Sequence, residues 1–211
     1  MDVLARLDAA RAATDVLQHP FYRRWSAGEL SREELALYAG QYRHAVVALA
    51  EASDAAAAAA GEPHAAGLAR HAEEEHGHVA LWDAFAAACG TAAPAAPLAG
   101  TADCARAWRG GGDLLERLAV LYAIEASQPA ISETKLEGLR AHYTEISEGP
   151  ATEYFELHAV RDVEHAGAAA ELISELMPSG EAGAEQADRM VAAAQAALRG
   201  NWSLLDSVQA A

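Results

Sequence analysis

Apolar residues recur every three or four positions along most of the chain, which is the spacing of one face of an α-helix. The two-residue alternation of a half-buried strand is not seen in the sequence. Proline and glycine residues divide the helical pattern into about seven segments. These segments cover approximately residues 3–18, 31–61, 63–88, 103–108, 113–142, 150–177 and 181–198. The pattern therefore predicts an all-α bundle of about seven helices.

Local signals set several of the predicted boundaries. Ser31 and Glu34 have the spacing of a capping box, which indicates the start of the second helix. Pro129 lies inside a helical stretch, and because a proline removes one backbone hydrogen bond, we expect a kink or a break there. Residues 21–25 follow a proline and are interpreted as a connecting segment. Gly200 is expected to separate the last helix from a short tail.

The composition restricts the class of protein. A chain of 211 residues suits a single domain, residues 1–211, and 52% of it is hydrophobic with only 6% aromatic residues. The formal net charge of −16 argues against nucleic acid and against an anionic membrane surface as partners, because both attract basic proteins. No signal-peptide pattern or membrane-spanning apolar run is seen, and two cysteines do not make a disulfide scaffold. We expect a cytoplasmic protein.

Three potential metal ligands share one face of the predicted helix 150–177. His158, Asp162 and His165 follow one another in steps of four and three residues, so their side chains lie within about one turn of each other. Their neighbours on that face are apolar, which indicates burial. A single buried histidine is more often a satisfied core residue. Two imidazoles and a carboxylate in an apolar interior need a compensating charge, however, and a divalent metal ion provides it.

The predicted helix 63–88 carries residues of the same types. His71, Glu75 and His78 share one helical face. The step from Glu75 to His78 is the Glu-x-x-His spacing that carboxylate-bridged di-metal bundles use. The charged residues between them, Glu73, Glu74 and His76, are assigned to a solvated face.

A third helix contributes one carboxylate. Glu125 follows an uninterrupted run of seven apolar residues, so its side chain is expected to be buried. The alternative is a buried ion pair with an arginine. Mixed nitrogen and oxygen ligands favour iron or manganese, whereas a structural zinc site would more often show cysteines, and Cys89 and Cys104 lie away from the clusters.

Three stretches of the sequence resemble one known family. Residues 19–30, 121–139 and 154–166 are similar to the family of the chlamydial protein associating with death domains and its bacterial relatives, and their order and spacing are kept. The opening stretch is the least specific, because thiaminase II and pyrroloquinoline-quinone synthase relatives share similar segments. The specific part is the His158, Asp162 and His165 triplet together with Glu125. The resemblance implies a heme-oxygenase-like helical fold without heme and a non-heme dinuclear site that activates dioxygen.

Carried over by position, the resemblance implies metal ligands at His78, Glu125, His158, Asp162 and His165. The cofactors would be two iron ions, or iron with manganese, used with dioxygen and an external reductant. The chlamydial branch makes p-aminobenzoate, with a tyrosine of the protein itself as the carbon source and a lysine as the implied nitrogen donor.

The matching positions for that chemistry are Tyr22 and Lys135, and a second tyrosine of the pocket matches Tyr38. From the residues alone, Lys135 is also consistent with a surface lysine that pairs with Glu133 or Glu137. Tyr22 is also consistent with an aromatic plug at one end of the bundle.

The sequence departs from the family pattern at two positions. His71 stands where the family has its first carboxylate ligand, and a histidine does not bridge two ions. Either Glu75 replaces the bridging carboxylate, or the second ion binds weakly. Ile124 stands where the family has a tyrosine directly before Glu125, which removes a candidate radical relay.

Two other classes of function stay open. One is a related di-metal oxygenase that acts on an external amine, amino acid or fatty acid. The other is a non-enzymatic helical interaction protein, which would have no reason to bury the four residues His158, Asp162, His165 and Glu125. Thiaminase II-type hydrolysis is disfavoured, since the helix with Glu125 carries no cysteine. The expected partners are a small molecule or the protein's own side chains, and a second copy in a homodimer.

Overall fold

The computed structural model describes residues 2–91, 95–147 and 149–211. Within these residues the chain forms nine α-helices, two short 3-10 helices at Val16–Gln18 and Thr144–Ile146, and no strand. The predicted all-α fold is confirmed. The α-helices are α1 (Val3–Ala13), α2 (Pro20–Ala27), α3 (Arg32–Ala59), α4 (Ala65–Cys89), α5 (Ala99–Trp108), α6 (Leu114–Glu125), α7 (Gln128–His142), α8 (Pro150–Leu176) and α9 (Gly180–Ala210).

Helix ends follow the chemistry of their capping residues. The capping box at the start of α3 is present: the Ser31 hydroxyl accepts from the Glu34 amide at 3.2 Å, and the Glu34 carboxylate accepts from the Ser31 amide at 2.8 Å. The Asp113 carboxylate caps α6 through the Glu116 amide. Gly90 ends α4 with a φ of 87°, a left-handed conformation that glycine adopts without strain.

Two predicted boundaries were wrong. Residues 21–25 belong to helix α2, which begins at Pro20, and the His19 side chain caps it by accepting from the Phe21 amide at 3.0 Å. Gly200 does not end a helix, because α9 continues to Ala210. A Cβ atom at Gly200 would lie 3.0 Å from the Cα atom of Cys104 on α5, so this glycine permits two helices to pack closely.

Helix α8 lies against α4, α6 and α7, and α3 lies against α4. The candidate ligands come from α4, α6 and α8, so this packing brings them to one place. Helices α6 and α7 are separate, with the break at residues 126–127, just before Pro129. None of the described helices combines the length and the apolar character needed to cross a bilayer.

Candidate metal centre

Seven side chains of ligand type meet in the interior between α4, α6 and α8. All are buried except His71, which is partly exposed. Helix α4 carries His71, Glu75 and His78, helix α6 carries Glu125, and helix α8 carries His158, Asp162 and His165. These are the seven residues that the sequence indicated as candidate ligands.

The ligand atoms form two groups that share one carboxylate. In each group, one atom per residue lies within 4.8 Å of every other. The common member is Glu75, which is 1% exposed. The first group is His71, Glu75, Glu125 and His165, and the second is Glu75, His78 and His158.

Glu75 Oε1 lies at the middle of this arrangement. It is 3.1 Å from His78 Nδ1, 3.5 Å from His165 Nδ1 and 3.8 Å from His71 Nε2. His71 and His165 belong to the first group and His78 to the second, so this one carboxylate oxygen faces histidines of both groups. Glu75 is thus the residue that the two groups have in common.

Glu125 and Asp162 complete the set of acidic groups. Glu125 Oε1 lies 2.9 Å from His71 Nε2, so its neighbour is a histidine rather than the arginine of the alternative interpretation. Asp162 Oδ1 lies 3.7 Å from His165 Nδ1. Both carboxyl groups are buried, and neither has a hydrogen-bond partner among the described residues.

The unpaired atoms indicate what the centre requires. Buried polar atoms are nearly always hydrogen-bonded, and unpaired buried charges are costly. Here every candidate ligand has at least one buried nitrogen or oxygen without a hydrogen-bond partner in the described structure. These atoms are His71 Nε2, Glu75 Oε1, His78 Nδ1, both carboxylate oxygens of Glu125, His158 Nε2, both carboxylate oxygens of Asp162, and His165 Nδ1. Divalent cations would satisfy the whole set at once, so the residues fit a metal centre.

The protonation of these groups follows from their burial. Burial raises the pKa of Asp162 to about 9, with a further contribution from the Glu125 and Glu75 charges. Burial also raises the pKa of Glu125. Burial lowers the pKa of His158 to about 4, so its imidazole is neutral and has a lone pair to donate. Bound cations would offset the cost of ionising the two carboxyl groups.

His158 is fixed in orientation by its own helix. Its Nδ1 donates to the Tyr154 carbonyl oxygen at 2.6 Å, which leaves the Nε2 lone pair directed at the centre. The Tyr154 ring stacks on the imidazole with 3.9 Å between centroids.

Both cysteines are buried free thiols, and burial raises the pKa of Cys89 to about 12. The available ligands are therefore nitrogen and oxygen, which suits iron or manganese.

Lys135 lies next to this centre in a cage of aromatic rings. It is the only lysine of the sequence, and it is 1% exposed. The interpretation of a surface lysine was therefore wrong. Burial lowers the pKa of Lys135 to about 7. The distances from its Nζ atom to the ring centroids are 4.6 Å for Tyr42, 5.1 Å for Phe155, 5.3 Å for Trp82, 5.4 Å for Tyr38 and 5.8 Å for Tyr22.

Tyr22 and Tyr38 form one wall of this aromatic cage. Their hydroxyl oxygens are 3.3 Å apart, and both rings are buried. A straight continuation of α6 would have carried Lys135 away from Glu125. The chain instead breaks between α6 and α7, so Lys135 lies on a separate helix. Tyr154 connects the cage to the metal centre, because its ring stacks on His158 and lies 4.9 Å from the Trp82 ring.

Several residues of the site were not predicted from the sequence. Trp82 and Tyr154 each stand four residues from a candidate ligand on the same helical face, a spacing that was available in the sequence. Glu74 was assigned to a solvated face, but its Oε2 lies 3.1 Å from His165 Nε2. That Lys135 is the only lysine was a further signal. Tyr42 gave no local signal, since its place in the cage depends on side chains of another helix, α7, where the Gln128 amide donates to the Tyr42 hydroxyl at 3.3 Å.

Comparison with known proteins agrees with this architecture. A family described as iron-containing redox enzymes matches residues 36–202. A 4-aminobenzoate synthase of Nitrosomonas europaea is 31% identical to this chain, covering 96% of this chain and 89% of the relative. A 4-aminobenzoate synthase of Chlamydia trachomatis is 29% identical, covering 98% of this chain and 92% of the relative.

Solved structures share the fold at low sequence identity. A domain of unknown function with a heme oxygenase-like fold from Shewanella denitrificans has a TM-score of 0.77 at 19% identity, covering 100% of this chain and 93% of that one. A TenA homolog from Pseudomonas syringae has a TM-score of 0.79 at 16% identity, covering 99% of this chain and 91% of that one. The predicted heme-oxygenase-like fold is thereby confirmed. Because the family match spans most of its length, the chain belongs to the family of iron-containing redox enzymes.

Proposed function

We propose that this protein is a 4-aminobenzoate synthase that takes the carbon skeleton of its product from Tyr22 and the amino group from Lys135. The observation that carries the proposal is the burial of the only lysine of the sequence beside the Tyr22 ring. A buried lysine without a carboxylate partner is costly, so its position calls for an explanation. The names of the relatives from Nitrosomonas and Chlamydia support the same product.

The metal centre in this proposal holds two iron ions, or iron with manganese. His71, Glu125 and His165 would hold one ion, and His78 and His158 would hold the other. Glu75 would be the carboxylate shared by the two sites, in place of the one that the family has at position 71, and the central position of its Oε1 atom supports that role. Asp162 faces His165 and supplies the remaining carboxylate. Metal ions bound there would supply dioxygen activation and oxidising power, with electrons from an external reductant.

The aromatic cage prepares the two reacting side chains. Burial raises the pKa of Tyr22 well above its ordinary value, so this residue stays a neutral phenol until it reacts. The Tyr38 hydroxyl, 3.3 Å from that of Tyr22, is placed to accept or return the phenol proton. Lys135 has a pKa of about 7, so a large fraction of the amine is unprotonated at neutral pH and has a lone pair to donate. The surrounding rings exclude water from both groups.

The single lysine permits a direct test. Protein labelled with ¹⁵N at the lysine side chain carries that label only at Lys135. After addition of iron, reductant and oxygen, we expect ¹⁵N-labelled p-aminobenzoate, at most one product per chain, and a mass loss on the peptide that contains Tyr22. Tyr22→Phe and Lys135→Arg should each abolish the product. Tyr122→Phe is a matched control, since Tyr122 lies outside the cage, where its hydroxyl donates to Asp8.

A second candidate is an oxygenase of the same family that acts on an external amine, amino acid or fatty acid. It is favoured by a cleft of about 680 Å³ that reaches His71 and His165 from solvent. Product that forms equally well in the Tyr22→Phe protein, or more than one product per chain, would support this candidate against self-sacrifice.

A further inference from the structure

We infer that Glu74, held in place by Arg161, is a positioning residue that orients His165 for metal binding. The inference rests on the proposed metal centre. Glu74 is next in sequence to the central Glu75, but it points to the outer side of His165 instead of to the ligand atoms. Neither Glu74 nor Arg161 belongs to the candidate ligand set.

The contact between Glu74 and His165 determines which imidazole nitrogen can bind metal. Glu74 Oε2 lies 3.1 Å from His165 Nε2. An arginine-paired carboxylate only accepts hydrogen bonds, so the imidazole nitrogen must carry the proton. The neutral ring then has its lone pair on Nδ1, which is buried and unpaired and faces Glu75 Oε1 at 3.5 Å. Hydrogen bonds of this kind fix the tautomer and ring orientation of metal-binding histidines.

Arg161 fixes the carboxylate itself. Its Nη2 donates to both Glu74 oxygens at 2.8 Å, and its Nε donates to Oε2 at 3.0 Å. Arg161 also pairs with Glu164. The planar guanidinium thus holds Glu74 in one orientation. A lysine in place of Arg161 would not fix the carboxylate in this way. Because Glu74 is on α4 and Arg161 is on α8, the pair also joins two of the helices that carry ligands.

The two ends of the metal centre are supported in different ways. His158 donates to a backbone carbonyl, that of Tyr154, inside the bundle. His165 donates to the Glu74 side chain, which lines the cleft of about 680 Å³ together with Arg161 and His71. A substitution at Glu74 should therefore weaken the ion held by His71, Glu125 and His165 and leave the other ion nearly unchanged.

The test is an anaerobic titration of the full-length metal-free protein with Co²⁺, followed by its visible absorption. We expect two binding steps in the wild-type protein. Glu74→Ala should weaken one step by about ten- to a hundredfold and leave the other within about twofold, as is typical when the partner of a metal-binding histidine is removed. Glu74→Gln should restore most of the affinity, because the amide oxygen still accepts from His165. Glu73→Ala is the matched control, since Glu73 is an exposed neighbour of the same charge.

A second measurement does not depend on metal. In ¹⁵N spectra of the metal-free protein, His165 should be the Nε2–H tautomer in the wild-type and Glu74→Gln proteins and a mixture in Glu74→Ala. Arg161→Met, which leaves the carboxylate present but free to turn, should show an intermediate effect in both measurements. If Glu74→Ala does not fold, Arg161→Met tests the same contact.

The outcomes separate the two proposals. If the wild-type protein binds no Co²⁺, the metal centre is wrong, and the tautomer measurement alone decides the role of Glu74. If the wild-type protein binds two ions and Glu74→Ala binds them equally well with an unchanged tautomer, the positioning role is wrong. An equal loss in Glu73→Ala would overturn it as well, because surface charge would then explain the effect.

Discussion

The amine of Lys135 lies 5.8 Å from the centre of the Tyr22 ring, although the two residues are far apart in sequence. Two features of the fold bring them together. The break before Pro129 starts α7 as a separate helix. On α2, the Trp25 indole donates to the Lys135 carbonyl oxygen at 3.2 Å and lies directly over Gly138. The position of Tyr22 relative to the amine therefore depends on the contact between α2 and α7.

The burial of Lys135 predicts a specific dependence of stability on pH. The pKa of Lys135 is about 7 in the folded protein and 10.5 in the unfolded chain, so between these values the unfolded chain binds more protons. The free energy of unfolding of the wild-type protein should therefore rise with pH relative to Lys135→Met, by up to about 1.4 kcal/mol per pH unit. This gain is lost again as the pH falls towards 7. Urea unfolding at pH 7 to 9.5 measures it, and parallel curves for the two proteins would contradict the prediction.

Removal of metal should reverse the stability order of the wild-type protein and Glu125→Gln. Both Glu125 oxygens are buried without a hydrogen-bond partner among the described residues, so a neutral amide is expected to cost no more than the carboxyl group in metal-free buffer. With metal, the wild-type protein should gain about 2.7 kcal/mol per site at a free metal concentration 100 times Kd. Glu125→Gln should gain less. Thermal unfolding with chelator and with Co²⁺ checks both halves of the prediction.

Glu75 and His71 should differ in how many ions they affect. Glu75 is common to both ligand groups, so Glu75→Gln should weaken both Co²⁺ binding steps. His71 belongs to the first group only, so His71→Ala should weaken one step. Equilibrium dialysis gives the number of bound ions. Loss of a single ion in Glu75→Gln would show that this carboxylate does not bridge.

Gly138→Ala should lower both stability and product formation. A Cβ atom at this position would overlap the Trp25 indole. Overpacking of this kind typically costs about 1–3 kcal/mol, and here it displaces the helix that carries Tyr22. Gly167→Ala is a matched control on the exposed side of α8, where a Cβ atom meets nothing within 4 Å, and it should be neutral or stabilising. Urea unfolding and p-aminobenzoate yield are the measurements, and a fully active Gly138→Ala protein would contradict the prediction.

The sequence indicated the ligands better than their surroundings, and the reason is physical. His158, Asp162 and His165 are related by helical periodicity, so a local pattern is enough to place them on one face. The aromatic cage around Lys135 combines rings from four helices, and no periodicity relates them. Glu74 was misassigned because a run of charged residues normally indicates solvent exposure, whereas its role depends on His165 from another helix. Gly200 was predicted to end a helix. Glycine occurs at helix ends and also where two helices pack closely, so the residue type alone does not distinguish the two.

The burial of Tyr22 has a consequence for the lifetime of the protein. The Tyr22 ring is 2% exposed and packs edge-on against Phe21 in the core. Under the proposed self-sacrifice, a chain that has given up this ring as product would keep a cavity between α2 and α3. Truncation of a buried aromatic side chain costs about 3–5 kcal/mol, a large part of the 5–15 kcal/mol that stabilises an ordinary domain. The spent chain would unfold more often than an unreacted one, so cellular proteases would clear each used copy selectively.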